Sequence, residues 1–235
     1  MRAAGAHLFP MMDRVIFGKP APQTLSDEVE RLDKRRVFLM VSHTLNSKTN
    51  EIEKIRSALE GRCVGLFDRV PQHTSRRSAA AAAQAAANVE AELIVAIGGG
   101  SVVDASKIML VCMEHKIFEP KGLDGFEFKI GPRGVPQMPA YRPPSVRMIA
   151  VPSTLSGGEY NAGCVVTDRD RKLKQTFYHP HMMPVTIILD PELGLHAPET
   201  VWLGSARAPW TIRSRRFARK MARRSPMRLC CAALR

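Results

Sequence analysis

Short apolar runs alternate with longer mixed segments along the first 195 residues of the chain. Continuous apolar runs of about four to eight residues are typical of strands that are buried on both faces of a sheet. On this criterion the sequence predicts strands at residues 37–41, 63–67, 93–97, 147–151, 165–167, 175–178 and 186–189.

Helices are predicted in the segments that separate these strands. Residues 78–92 are rich in alanine, which has the highest intrinsic helix propensity. Further helices are expected at residues 51–59 and from about Val102 to Glu114. Regular alternation of strand and helix is typical of a parallel sheet with helices on both faces. The sequence therefore predicts an α/β fold.

Two segments depart from this alternation. Residues 121–144 are rich in glycine and proline and predict a long loop, with a small hairpin around residues 126–130. Residues 196–199 predict the start of a helix, with Pro198 in its first turn.

Composition limits the class of protein. The 235 residues are 45% hydrophobic, which is normal for a globular protein with a core. No apolar run reaches the roughly 18 residues of a membrane helix, and the first 14 residues lack the pattern of a signal peptide. The five cysteines, an odd number without metal-ligand spacing, fit reduced thiols. We expect a cytoplasmic protein with no membrane partner.

The net charge of +13 raises the possibility of a nucleic-acid partner. Residues 206–235 contain ten of the 35 basic residues and no acidic residue, whereas residues 1–205 contain 25 basic and 22 acidic residues, a net of +3. A polyanion-binding surface is thus not expected on the body of the chain. A nucleic-acid-binding protein that uses this tail is an alternative hypothesis, and its binding would weaken steeply with salt.

The stretch AIGGGSVVDASKIML, residues 96–110, contains the first candidate chemistry. Gly98, Gly99 and Gly100 follow a predicted strand and precede a predicted helix. Glycine allows the backbone to turn sharply and to approach a ligand, and a helix N-terminus offers unpaired N–H groups to an anion. The pyrophosphate of a dinucleotide fits such a site, although the stretch is not the GxGxxG pattern.

The same stretch has two alternative interpretations without a ligand. Ser101 and Asp104 have the spacing of a capping box, in which they would fix the start of the helix. Lys107 could be a solvated surface residue. Capping and phosphate binding are compatible, because Asp104 could order the turn that the ligand uses.

A second polar stretch, PSTLSGGE at residues 152–159, follows the strand predicted at residues 147–151. Ligands of open α/β sheets bind at the carboxyl ends of the strands. If the two strands are neighbours, the two loops would bracket one ligand.

These motifs resemble those of the iron-containing alcohol dehydrogenase family. GGGSVVDASK is similar to the family's GGGSxxDxxK signature, and VPSTLSGGEYNAG is similar to its second motif. The segment from KLKQTFYHPHMMPV to ETVWLGS resembles the maleylacetate reductase-like branch. The resemblance extends over roughly residues 10–205.

The resemblance implies an α/β nucleotide-binding domain, an all-helical C-terminal domain that is largely missing here, and a cleft between them. It implies NAD or NADP as cofactor and hydride transfer to or from an alcohol, aldehyde or ketone. We expect residues 1–195 to form the first domain and residues 196–205 to begin the second. Full-length relatives are expected to be homodimers.

The resemblance also implies roles for individual residues. Gly98, Gly99, Gly100 and Ser101 would hold the pyrophosphate, and Asp104 would lie close to the cofactor. Ser153 and Thr154 would line the nucleotide pocket, and Ser156 and Gly157 would lie near the nicotinamide. No acid follows the strand at residues 37–41, so NADP(H) is not excluded. The catalytic residue is not identified.

The family's iron or zinc ligands are an Asp and three His in the helical domain, and none of these positions is matched here. We expect His179 and His181 to be loop residues near the cleft rather than metal ligands. Within the family, alcohol dehydrogenase and maleylacetate reductase are both candidate activities. A lyase related to dehydroquinate synthase is a further alternative, but only the glycine loop supports it.

Residues 206–235 depart from the family pattern. The family continues with a segment like RALDHTIEA, whereas this chain reads ARAPWTIRSRR. With one choice of codons, a shift of two nucleotides converts APWTIRSR into ALDHTIE. We therefore hypothesise that residues from about 206 onward are an off-frame translation product, a basic tail without a hydrophobic periodicity.

Sequencing of the gene from codon 195 through several hundred nucleotides past the stop codon tests this hypothesis. We expect a shifted frame that encodes an Asp-His helix start and further histidines downstream. Absence of such a frame would show that the basic tail is genuine.

Overall fold

A computed structural model describes residues 11–132 and 135–205 of the chain. The basic tail predicted at residues 206–235 lies outside the described residues. The strands are β1 (Arg14–Phe17), β2 (Val37–Val41), β3 (Cys63–Phe67), β4 (Leu93–Gly98), β5 (Lys129–Ile130), β6 (Pro136–Gln137), β7 (Arg147–Pro152), β8 (Gly163–Asp168), β9 (Leu173–Tyr178) and β10 (Thr186–Leu189).

Five helices lie between strands and two follow the last strand. They are α1 (Ala21–Arg31), α2 (His43–Lys48), α3 (Glu51–Ala58), α4 (Arg76–Asn88), α5 (Gly100–His115), α6 (Pro191–Leu195) and α7 (residues 199–205). No helix among these residues is long and apolar enough to cross a bilayer.

Six strands form one parallel sheet in the order β1-β10-β7-β4-β2-β3. The α/β fold with a parallel sheet is confirmed. Its two central strands, β4 and β7, pair along their whole length, from Leu93 opposite Arg147 to Gly98 opposite Pro152. Because all six strands run in the same direction, the loops that follow them emerge at one edge of the sheet.

The sheet is buried on both faces, as the continuous apolar runs predicted. Along β2, Phe38 and Met40 belong to one apolar cluster, which also contains buried residues of α4 and α5. Val37, Leu39 and Val41 belong to a second cluster with residues of α1 and α3. Alternate residues of one strand thus fill two separate cores, because successive side chains point to opposite faces.

The strands β8 and β9 lie outside this sheet. They form an antiparallel hairpin, with Gly163 opposite Tyr178, that packs on α5. The small hairpin of the long loop is displaced from its predicted position, since it pairs Lys129–Ile130 with Pro136–Gln137. Phe128 instead donates its N–H to the carbonyl of Thr176 in β9, at 2.7 Å. The predicted hairpin position was wrong because this part of the loop is already bound to β9.

Helix boundaries differ from the predictions where local hydrogen bonds decide them. The alanine-rich helix begins at Arg76 rather than Ser78, because Ser75 and Ser78 form a capping box. It ends at Asn88, close to Glu90 with its positive φ of 47°. The elements β1, α1, α2 and α6 were not predicted, and the helix start expected at residues 196–199 is α7, which is preceded by α6.

Arg76 connects the first turn of α4 to the long loop and to the β8–β9 hairpin. Its side chain is 5% exposed and donates to Gln175 at 2.7 Å and to Asp124 at 2.6 Å. Asp168, also buried, lies 3.6 Å from Arg76 Nε. Arg171 on the hairpin donates to both carboxylate oxygens of Asp124, each at 2.9 Å. These two arginines hold the pKa of Asp124 down, to about 2.

Replacement of Arg76 by methionine should lower the free energy of unfolding by on the order of 3 kcal/mol, because it removes the hydrogen bonds of a buried guanidinium and one of the two cations beside Asp168. Urea unfolding monitored by circular dichroism measures this loss. Arg77→Met is the matched control, because Arg77 is exposed and should change stability by about 0.5 kcal/mol or less. Equal effects of the two substitutions would contradict this role of Arg76.

Candidate dinucleotide site

The two glycine- and hydroxyl-rich loops meet at the carboxyl edge of the sheet. They follow β4 and β7, which are adjacent strands. The N–H of Ser153 donates to the carbonyl of Gly98 at 3.0 Å, so the ladder between the strands continues into the loops. The predicted adjacency of the two loops is confirmed.

The three glycines permit this close approach. A Cβ atom on Gly98, which has a φ of +154°, would lie 2.9 Å from Val102 Cγ2. A Cβ on Gly99 would lie 3.3 Å from Thr154, and one on Gly100 would lie 3.0 Å from Ser156. Side chains at these positions would push the second loop away from the first, or distort the backbone.

Helix α5 begins directly at the glycine loop. Its first residue is Gly100, its N-cap is Gly99, and no side chain caps it. The first N–H groups of a helix have no intrahelical acceptor, and the helix dipole adds positive potential there. The sixteen-residue helix α5 therefore presents an anion-binding end to the space above the sheet.

The predicted capping box at Ser101 and Asp104 is wrong. Both residues lie inside α5, because glycine rather than serine makes the turn into the helix. Ser101 Oγ instead accepts the N–H of His73 at 3.1 Å, and the Ser101 carbonyl accepts the hydroxyl of Thr74 at 2.7 Å. These contacts fix the loop between β3 and α4 against the start of α5.

Lys107 is buried rather than solvated, which corrects the surface interpretation. Its side chain is 0% exposed. The Nζ atom donates to the carbonyls of Gly158 and Asn161, both at 2.6 Å, and to that of Gly163 at 2.9 Å. The side-chain oxygen of Asn161 lies 3.3 Å away. The ammonium group therefore anchors the chain between β7 and β8 to the second turn of α5.

Two carboxylates accompany this buried cation. Asp104 Oδ2 accepts the N–H of Val165 at 3.3 Å, and Glu159 is almost fully buried. Burial raises the pKa of Asp104 to about 6, against the attraction of Lys107. Burial also raises the pKa of Glu159 and lowers that of Lys107. The site thus contains three buried ionisable groups whose pKa values are shifted by burial.

The second loop has a defined shape of its own. Ser153 is buried, Thr154 and Ser156 are half-buried, and Gly157 adopts a φ of +69° that opens a 3-10 turn at Gly158–Tyr160. Ser156 Oγ accepts the N–H of Gly158 at 3.4 Å.

Helix α7 binds the same loop. The N–H of Leu155 donates to Ser205 Oγ at 2.9 Å, and that hydroxyl donates to the Trp202 carbonyl at 2.7 Å.

The end of β3 adds an acid that was not among the predicted site residues. Asp68 follows β3 directly, and its Oδ2 lies 3.0 Å from His43 Nδ1 and 2.9 Å from Asn46 Nδ2. Both partners belong to α2, which follows β2. An acidic group therefore reaches the end of β2 from the neighbouring strand, although the sequence after β2 contains none.

The two histidines of the His-Pro-His segment lie in the 3-10 turn before β10, with His179 as its N-cap. His181 Nδ1 donates to the carbonyl of Pro144, 3.1 Å away, just before β7 begins. The His179 ring lies 5.3 Å from the Tyr141 ring. These groups lie at the amino edge of the sheet, where β7 begins. The glycine loops lie at the opposite edge, where β4 and β7 end.

A metal site is not formed by the part of the chain that the structure describes. Within residues 11–132 and 135–205, no group of three or more His, Cys, Asp or Glu side chains could hold a metal ion.

A family model supports the interpretation of these loops. The model described as iron-containing alcohol dehydrogenase matches residues 12–191. The matched segment includes both loops, Lys107, and all six strands of the main sheet.

Curated relatives come from fungi and bacteria. The dehydrogenase FUM7 of Gibberella moniliformis is 28% identical over 195 residues, which are 81% of this chain and 46% of that protein. A maleylacetate reductase of Burkholderia cepacia is 28% identical over 185 residues, covering 79% and 42%. The NADPH-dependent aldehyde reductase YqhD of Escherichia coli is 26% identical over 178 residues, covering 76% and 43%. The chain spans less than half the length of these relatives.

Solved structures share the fold. A sulfoacetaldehyde reductase from Bifidobacterium kashiwanohense, solved with NAD+, superposes with a TM-score of 0.72 at 20% identity, over 88% of this chain and 52% of that one. An iron-containing alcohol dehydrogenase from Thermococcus thioreducens gives a TM-score of 0.72 at 23% identity, over 86% and 51%.

The raised pKa of Asp104 predicts how stability depends on pH. The folded chain holds this proton more tightly than the unfolded chain, so the contribution of Asp104 falls as pH rises from 3.8 to about 6 and remains lost above it. Asp104→Asn removes this titration. Between these pH values the variant should gain up to about 3 kcal/mol of unfolding free energy relative to the parent chain.

Urea unfolding across this pH range measures the difference between the two chains. Asp33→Asn is the matched control, because Asp33 is exposed and its φ of 50° suits asparagine as well. Parallel stability curves for Asp104→Asn and the parent chain would contradict the assignment.

Proposed function

The chain belongs to the iron-containing alcohol dehydrogenase family, and from this we propose that it forms the dinucleotide-binding half of an NAD(P)-dependent oxidoreductase. The reaction would transfer a hydride between the nicotinamide ring and an alcohol, aldehyde or ketone. One observation carries the proposal: the uncapped start of α5 lies between two tightly joined loops at the carboxyl edge of adjacent parallel strands.

The pyrophosphate would bind at the start of α5. Backbone N–H groups after Gly99 would donate to its oxygens, and the glycines would let the phosphates approach the backbone. Ser101 is oriented by His73 and Thr74, so its own position is fixed before ligand arrives.

The nicotinamide half would extend over the loop that follows β7. Ser153 and Thr154 would line the nucleotide pocket, and Ser156 and Gly157 would lie near the ring. Lys107 supports this arrangement, because it fixes the chain immediately after Gly157 through the Gly158 carbonyl. Asp104 would order the same region through Val165. When bound, the nicotinamide cofactor supplies or accepts the hydride.

The family name implies iron, but the residues of this chain that the structure describes do not form a site for it. Substrate orientation in this family would also require a second wall to the cleft. Catalysis depends on such positioning. We propose that the 235 residues alone bind nucleotide weakly and turn over substrate poorly.

Two activities within the family remain candidates for the whole protein. Asp104 favours alcohol dehydrogenase, because the maleylacetate reductase-like signature often departs from aspartate at this position. Similarity to maleylacetate reductases over 79% of the chain favours the other activity. Both reactions transfer a hydride between the nicotinamide ring and the substrate, so the cofactor site serves either.

Nucleotide binding by the purified chain tests the proposal. Calorimetric titration of the 235-residue chain with NADH and with NADPH should detect binding of at least one of them. Gly100→Ala should weaken that binding by at least about tenfold, equivalent to about 1.4 kcal/mol, because the new Cβ would displace Ser156.

A matched glycine-to-alanine substitution separates local from general effects. Gly204→Ala introduces a Cβ with no heavy atom within 4 Å and should leave affinity unchanged. Thermal melts show whether each variant is folded. A folded parent chain that binds neither nucleotide would refute the proposal.

A further inference from the structure

Asp68 occupies a position at which it can read one specific part of a dinucleotide. It is the first residue after β3, at the same edge of the sheet as the glycine loops. Its side chain is 21% exposed, so it is accessible to a ligand but not freely mobile.

The carboxylate is held in place by the neighbouring loop. His43 and Asn46 both contact the same oxygen, Oδ2, at 3.0 and 2.9 Å. An ionised carboxylate has about four acceptor sites, so these contacts leave acceptor capacity for a ligand hydroxyl. Hydrogen bonds from Asn46 and His43 also lower the pKa of Asp68, which therefore carries a negative charge at neutral pH.

The order of the strands places Asp68 on the adenosine side. With the pyrophosphate over β4 and the nicotinamide over the loop after β7, the other half of the ligand must extend over β2 and β3. Neighbouring strands are about 4.8 Å apart, so the end of β3 lies roughly 10 Å from the end of β4. This separation is similar to the distance from the pyrophosphate of a dinucleotide to its adenosine ribose. In many dinucleotide-binding folds an acidic residue binds the hydroxyls of that ribose.

We propose that Asp68 determines nucleotide specificity: it accepts hydrogen bonds from the adenosine ribose hydroxyls of NAD(H) and repels the 2′-phosphate of NADP(H). This inference rests on the proposed function. It assigns to β3 the acid that the loop after β2 lacks, with His43 as the residue that orients it. NAD(H) is then the preferred cofactor of this chain.

Removal of the charge should reverse the preference. His43 is 71% exposed and Arg69, the next residue in the chain, is also exposed. Once Asp68 no longer carries a charge, the guanidinium of Arg69 and the ring N–H of His43 can donate to a 2′-phosphate.

Calorimetric titration of the full 235-residue chain with NADH and NADPH tests the assignment. The parent chain should bind NADH more tightly. Asp68→Asn preserves the shape and the contact with one donor, and should change the ratio of the two dissociation constants by at least about tenfold in favour of NADPH. Circular dichroism confirms that the variant is folded.

Asp27→Asn is the matched control, because it removes the same charge from an exposed position of α1. It should leave the ratio unchanged. A parent chain that binds both nucleotides, with a ratio that Asp68→Asn does not alter, would overturn this assignment and leave the proposed function intact. A parent chain that binds neither would overturn both.

Discussion

The candidate site depends on one buried cation. Lys107 lies on the second turn of α5 and donates to three carbonyls in the segment from Gly158 to Gly163. A buried ammonium group is costly unless hydrogen bonds and opposite charges compensate it, and here Asp104 and Glu159 supply those charges. The helix that begins at the glycines and the loop that faces them are therefore held as one unit. The geometry of the anion-binding end follows from this contact.

The main features of the fold were predictable from the sequence because the central strands are buried on both faces. Where continuous apolar runs such as VFLMV alternate with predicted helices, they indicate strands of a parallel sheet that is buried on both faces. The edge strand β1 was missed because only its two middle residues are partly buried, which leaves a weak pattern. Helix α1 was missed because tertiary contacts rather than propensity support it. An example is the hydrogen bond from the Ala21 N–H to Asp190, 169 positions along the chain.

The site was predictable in its loops but not in its side-chain contacts. Glycines after a strand indicate a close approach of the backbone, whereas the partner of a polar side chain depends on the register of distant elements. The capping spacing of Ser101 and Asp104 was misleading for this reason. For Lys107 a signal did exist, because its neighbours Ser106 and Ile108 lie in a helix with apolar residues on nearly every side. Asp68 had the simplest signal, an acid directly after an apolar run.

The pairing of β1 with β10 has a consequence for synthesis of the chain. Arg14 aligns with Thr186, so β1 leaves the ribosome long before β10, its neighbour among the described strands of this sheet, which follows about 170 residues later. Until then β1 has an unpaired edge and α1 lacks its contact with Asp190. Contacts between residues that are so far apart in the sequence form slowly. The nascent chain can assemble β2, β3 and β4 early, but its amino-terminal segment needs protection from other chains until β10 has emerged.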